Sequence, residues 1–275
     1  ATPAAFSARP TPAPRSRGPD GPCPPPPPMP PPAVPRPPPH PDTALPELVA
    51  DSPLSAEAAA SLYAALLKDT ALAAERSGGE LLVNYRPAEA LGLDVDSEAR
   101  LRSVLEGAID AEAARFEVQV GETFAGRAGN TVTHLLDQEG VASAAVTEPA
   151  AVFCARQEVD EAAMKLRRAP VVLGPGTRGR VYFAGFTEPI DFTDAYTPPA
   201  LRTLTDRAGD AGHDVDYLGT LPLLETPADL AEILLGVGTR RTAGRPVPTH
   251  VADWLDDSAL TVVADGAGGL ALAGE

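Results

Sequence analysis

The sequence predicts an α/β fold of three layers, α/β/α, with a mostly parallel sheet. Two observations carry this. From about residue 44 onward, helical periodicity alternates with short apolar runs, the pattern of strands joined by crossover helices. Several of those runs, such as residues 171–173 and 181–186, are apolar throughout, as strands buried on both faces are. A third observation sets the boundary of the fold. More than half of the 32 prolines precede Asp42. Proline lacks a backbone donor and locks φ, so residues 1–43 read as a disordered tail of coil or polyproline. The same compositional break fits GC-rich coding DNA read in a second frame. Residues 44–237 then form the α/β domain and residues 238–275 a C-terminal appendage.

The elements follow in order. Ser55 is an N-cap for an alanine-rich helix to about residue 76, with Glu57 in its first turn and Gly78-Gly79 closing it. Residues 81–85 read as a short buried strand. Leu101, Val104, Leu105 and Ala108 give helical spacing over residues 97–114. Residues 116–120 alternate as a strand, 129–140 read as a short helix and 141–146 as a buried strand. An amphipathic helix spans 157–168. The strands at 171–173 and 181–186 are joined by a turn carrying Gly174, Gly176 and Gly179. A helix at 198–211, a strand at 215–218 and a helix at 227–235 complete the domain. Thr226, Pro227 and Asp229 supply the N-cap, the N1 proline and the N3 acid of that last helix. In the appendage, residues 238–248 read as a loop, 251–255 as a helical turn, and 261–264 with 270–273 as a small hairpin.

Charge excludes some partners. The formal net charge is −16. The tail is basic, with Arg9, Arg15, Arg17 and Arg36 against Asp20, so the acidic excess lies in the body. Such a surface repels phosphate backbones, which argues against nucleic acid as a partner. The acids are dispersed, and the lysines are Lys68 and Lys165 alone, a composition that resembles proteins of salt-loving archaea. No apolar run is long enough for a membrane span, and the start lacks the basic and apolar regions of a signal peptide, so the expectation is a cytoplasmic protein without a membrane partner. Cys23 and Cys154 make neither a disulfide framework nor a zinc site.

Three stretches in the right order resemble one prokaryotic family, the domain of unknown function 2064. They are the helix at Leu54-Ser55-Ala56-Glu57 with Leu62-Tyr63, the Val171-Val172-Leu173-Gly174-Pro175 … Val181-Tyr182-Phe183-Ala184-Gly185-Phe186 pair, and Leu224-Glu225-Thr226-Pro227-Ala228-Asp229-Leu230. The second resembles the family's "VVLGP…GGYYLIGL" and the third its "DVDTPEDL". The family has a glycosyltransferase-A-like, nucleotide-diphospho-sugar transferase-like fold and is related to molybdenum-cofactor and phospholactate nucleotidyltransferases.

The resemblance implies a nucleotide or nucleotide-sugar as partner, and a glycosyltransferase or nucleotidyltransferase as the class of enzyme. It also implies departures. The family opens with a strand and a basic loop where this chain has the proline-rich stretch, so the first strand is expected to be missing. The family's "SDSP" is here Val146-Thr147-Glu148-Pro149, which aligns its metal-binding aspartate with Thr147 or, with a gap, Glu148. Its late "DVD" is here Leu223-Leu224-Glu225. Glu148 and Glu225 are therefore the candidate ligands for Mg or Mn, which needs hard oxygen donors. Gly121 to Arg127 loosely resembles the family's "GDLGERL", making Arg127 a candidate phosphate partner, with Thr147, Gly174 and Gly176 as further candidate contacts. The catalytic motifs look degenerate, which leaves a second reading: a non-catalytic binding or scaffold domain that keeps only the fold.

The dispersed acidic charge generates a salt prediction. At molar salt the Debye length falls to roughly 3 Å, screening self-repulsion. The melting temperature should rise between about 0.1 M and about 2 M potassium chloride. A flat profile removes the halophilic reading.

Overall fold

The computed structural model describes residues 32–33, through their backbone, together with 39–264 and 269–274. The rest of the expected tail lies outside the described residues. In chain order the elements are β1 (Pro32–Ala33), α1 (Pro46–Ala50), α2 (Ala56–Arg76), β2 (Leu82–Tyr85), α3 (Ser97–Leu105), β3 (Arg115–Val118), α4 (Phe124–Thr133), β4 (Ala144–Thr147), α5 (Arg156–Lys165), β5 (Val171–Pro175), β6 (Val181–Phe186), α6 (Ala200–Asp210), β7 (Val215–Tyr217), α7 (Pro227–Thr242), α8 (Thr249–Asp257), β8 (Thr261–Ala264) and β9 (Leu270–Ala273).

The strands form one seven-stranded sheet in the order β3-β2-β1-β4-β6-β5-β7, and β8 pairs with β9 separately. Pairings within β3-β2-β1-β4 are parallel, as is β5 with β7. β6 lies antiparallel between β4 and β5, because a short turn returns it directly beside β5. The sheet is α/β and mostly parallel, as expected.

Its centre differs from the expectation of a missing first strand. Pro32–Ala33, within the stretch read as tail, pairs with β2 through Ala33 and Leu82 and with β4 through Pro32–Ala145 and Ala33–Val146. The first strand is present, as Pro32–Ala33 among the described residues. It lies in a proline-rich run, and proline lacks the N–H that a ladder uses, so the local sequence does not mark it as a strand. Packing against the domain also begins before residue 44: Arg100 Nε donates to the carbonyl of Pro39 at 3.3 Å.

The two faces of the sheet are buried in two cores. One joins α2, α3, α5, α7 and α8 to Val83, Tyr85, Ala145, Val172 and Tyr182. The other joins α4 and α6 to Leu82, Ala144, Val146, Val171, Leu173, Ala184 and Phe186. In β2, β4 and β5 neighbouring residues go to opposite cores, as the pleat requires, whereas in β6 Tyr182 and Phe183 both join the first core. Ser55 caps α2 as expected, its hydroxyl accepting from the N–H of Ala58 at 3.1 Å.

Three helix extents differ from the sequence reading. α3 stops at Leu105 because Gly107, at φ +79°, turns the chain away. α4 begins earlier than expected, where Thr123 Oγ1 accepts from Gly126 N at 3.0 Å. α7 runs on to Thr242 through residues expected to be loop. Gly236 does not break it, since a Cβ there would lie 2.9 Å from the Phe153 ring, and Arg240 stacks over the same ring at 4.1 Å.

The appendage is tied to the domain by a long-range cap. The side chain of Asp69, on α2, accepts from His250 N at 3.1 Å and Val251 N at 2.9 Å, at the start of α8. α8 has no side-chain cap of its own. Burial raises the Asp69 carboxyl above its ordinary range, and these N–H groups oppose that shift. Asp69→Ala should therefore cost about 1 kcal/mol, the usual worth of an N-cap. Asp69→Asn, which keeps one acceptor and sheds the buried charge, should cost less. Urea denaturation with hydrogen exchange on α8 reads both, and equal, negligible effects would show that α8 is held by packing alone.

Candidate functional site

In an open α/β sheet, ligands bind outside the carboxyl ends of the strands where the strand order reverses. Here the chain goes outward from β1 to β2 and β3, then returns to β4 on the other side of β1. The crossovers α2 and α4 lie on opposite faces, so a crevice opens at the carboxyl ends of β1 and β4. Residues following β2, β3, β4 and β5 converge on this edge, and they include most of the candidates from sequence.

Arg127 lies near the start of α4 and is half-buried. Its Nη1 donates to the carbonyl of Glu122 at 2.7 Å, while its Nε is buried without a partner. Arg86, the residue after β2, donates to the carbonyl of Ala90 at 2.9 Å. Neither has a carboxylate partner among the described residues. Burial first, and then the charge of Arg86, pull the Arg127 pKa below its ordinary value. A cavity of about 310 Å³ between β2, β3 and α4 is lined by Asn84, Glu117, Val120, Asn130, Thr131 and His134 among others. Arg86 was not a candidate from sequence. The signal available was its position directly after the apolar run at 81–85.

The other candidates have different surroundings. Thr147 is turned inward, and its hydroxyl donates to the carbonyl of Tyr182 at 3.3 Å. Gly174 and Gly176 are required by packing. A Cβ on Gly174 would lie 2.6 Å from the Tyr182 ring, and one on Gly176 2.4 Å from Leu223. The Gly176 N–H is already given to the carbonyl of Arg180 at 2.8 Å. Glu148 stays half-buried at the end of β4, its N–H donated to the carbonyl of Tyr182. Cys154 is buried, and burial pushes its thiol up to about 12, which keeps it from being a nucleophile.

Glu225 sits before α7, and its carboxylate is 2.5 Å from Arg180 Nη1. Arg180 is further held by the carbonyls of Thr177 and Leu223 and by Thr177 Oγ1, all at 3.1 Å. Asp229 accepts from Thr226 N at 2.9 Å, Thr226 Oγ1 at 3.0 Å, Glu225 N at 3.1 Å and Arg178 Nη2 at 2.7 Å. The capping box expected at Thr226 is formed. The two arginines, missed from sequence, are the partners of its acids.

This donor set does not fit Mg or Mn at Glu225. Such an ion takes hard oxygen ligands, one or two of them carboxylates free to coordinate and the rest waters and substrate phosphates. Here one carboxylate is paired with a guanidinium and the other is saturated. Among the described residues, no three His, Cys, Asp or Glu side chains are grouped to hold a metal.

No family model matches the chain, and no curated protein matches it. Among solved structures, it is similar to a nucleotide-diphospho-sugar transferase from Desulfovibrio desulfuricans G20, with 17% identity, a TM-score of 0.66, and coverage of 82% of this chain and 94% of that one. The likeness establishes a shared nucleotide-diphospho-sugar transferase-like fold. More distant matches are a CMP:2-keto-3-deoxy-manno-octonic acid synthetase complexed with CTP, at 12% identity, TM-score 0.43 and coverage of 77% and 99%, and a 4-diphosphocytidyl-2C-methyl-D-erythritol synthase from Anaerococcus prevotii, at 11%, 0.43, 74% and 95%. Among the described residues, no helix is long and apolar enough to cross a membrane.

The glycine geometry separates packing from ligand contact. Gly174→Ala should destabilise the protein by about 1–3 kcal/mol through overpacking against Tyr182. Nucleotide affinity of the folded fraction should not change. Unchanged stability with lost binding would restore the phosphate-contact role.

Proposed function

We propose that the domain binds a nucleotide or nucleotide-sugar at the carboxyl edge of its sheet, with the phosphates against Arg127 and Arg86. The observation that carries this is the arginine pair itself. Two cations lie close together, one of them half-buried with a buried and unpartnered Nε, in a chain whose net charge is strongly negative. Like charges beside one another are unfavourable until an anion lies between them, and a phosphate accepts from both guanidinium forks. A cavity bounded in part by α4, the helix that carries Arg127, falls at the lower end of the size range of small-molecule pockets, about 300–1,000 Å³. Its polar lining is Asn84, Glu117, Asn130, Thr131 and His134, of which Asn84, Asn130 and Thr131 already bond within the protein.

The shared fold supports this reading, and so does the resemblance of residues 54–63, 171–186 and 224–230 to the domain of unknown function 2064. In that reading the class of reaction is glycosyl or nucleotidyl transfer. A second reading, a binding domain without catalysis, is favoured by a separate observation: Thr147 and Glu225, which align with acidic ligand positions, are used internally.

Calorimetric titration with UDP-, GDP- and CDP-linked sugars tests the proposal. Arg127→Gln should weaken binding by about 1.5–3 kcal/mol, the worth of a charged hydrogen bond, or roughly ten-fold or more in Kd. Arg86→Gln should act in the same direction. Arg240→Gln, on α7, is the control and should leave affinity unchanged. No binding to any of these ligands, or binding unaffected by Arg127→Gln, would defeat the proposal. Turnover of a bound nucleotide-sugar would exclude the non-catalytic reading.

A further inference from the structure

At the other end of the same edge, we infer that Arg178 and Arg180 stand in the place of a divalent cation, and that Arg178 presents a second anion subsite, separate from the Arg127–Arg86 pair, which pyrophosphate can fill. This rests on the reading of the carboxyl edge as the nucleotide site. The four groups involved come from two elements. Arg178 and Arg180 belong to the turn between β5 and β6, and Glu225 and Asp229 to the start of α7.

Arg180 has little freedom. Its side chain is 17% exposed, with Glu225 on one nitrogen and Thr177 and Leu223 on the others. Admitting a metal at Glu225 would require breaking these bonds together. The backbone of Glu225 is held, its N–H given to Asp229, while its side chain, paired with Arg180 Nη1, is half-exposed. Arg178 is different. Its Nη2 is held by both oxygens of Asp229, at 2.7 and 3.0 Å, but its side chain is 54% exposed. Its Nε and Nη1 make no bond among the described residues. A guanidinium anchored on one side and open on the other is a pre-organised donor pair. The backbone is shaped for it: Arg178 lies at φ +62°, a left-handed conformation uncommon for a residue with a Cβ, and Gly179 follows at φ +73°. Such outliers persist only where the surroundings hold them.

A guanidinium cannot exchange, so binding at this edge needs no free metal. The probes are Mn²⁺ alone and inorganic pyrophosphate, which read this edge whether or not a nucleoside is recognised. In electron paramagnetic resonance titrations, Mn²⁺ should remain free up to millimolar protein. Pyrophosphate should bind in excess chelator, Arg178→Gln should weaken it at least five-fold, and Arg178→Lys should restore part of the loss. Thermal melts of the two variants establish that both are folded. Micromolar Mn²⁺ binding released by Glu225→Gln would overturn the inference. So would pyrophosphate that fails to bind, or that binds Arg178→Gln unchanged. Failure of nucleotide-sugars in the preceding titration, with pyrophosphate still bound at Arg178, would instead locate the error in the nucleoside reading.

Discussion

Among the described residues, Pro32–Ala33 joins the halves of the sheet. β2 and β3 lie on one side of Pro32–Ala33, and β4, β6, β5 and β7 on the other. Without that strand, backbone groups of both β2 and β4 would face each other across an empty lane. Each such group left unpaired in a buried position costs about 1–3 kcal/mol. The strand also places the crevice. Because β1 lies where the strand order reverses, its carboxyl end and that of β4 are the point at which α2 and α4 diverge to opposite faces. The site is therefore a consequence of topology, and the side chains around it only determine which ligand the crevice favours.

Much of the fold was legible because its signals are local. Ser55 and Thr226 are hydroxyl caps whose partners lie three residues away, so the starts of α2 and α7 could be read directly. The apolar runs of β5 and β6 reflect burial on both faces. What could not be read depends on distant neighbours. Gly236 looks like a helix end until Phe153 and Arg240 are placed against it. Pro32–Ala33 is a strand only because β2 and β4 have room for it.

The site was legible to a lesser extent, for the same reason. Arg127, offered by a loose motif resemblance, lies near the start of α4, and Glu148 directly follows β4. Thr147, Gly174 and Gly176 also lie near the carboxyl edge, but the direction of the Thr147 hydroxyl and the lack of room for any Cβ at the two glycines are set by Tyr182 and Leu223, the first distant in sequence from Thr147 and the second from Gly176. The pairing of Glu225 with Arg180 spans two elements, and no spacing rule links them. A carboxylate can be located by alignment to a motif. Whether it is free is decided by the tertiary structure.

Charge ties these points together. The body of the chain is rich in acid and nearly without lysine, so its cations are guanidinium groups. Arginine suits pairing with several acceptors at once, because its planar fork reaches carboxylates and carbonyls in fixed directions. Arg115 does this with Glu80, Glu117 and Glu139, and Arg241 with Asp256. An arginine without a carboxylate is common here: Arg76, Arg100, Arg167, Arg168, Arg240 and Arg245 also make no ion pair among the described residues. Arg127 differs in that its Nε is buried without a partner and that burial, with the charge of Arg86, acts against its own charge. The arrangement is unfavourable in the empty protein and becomes favourable when an anion enters. That difference between the empty and filled states is the physical property that distinguishes a binding site from a structural ion pair.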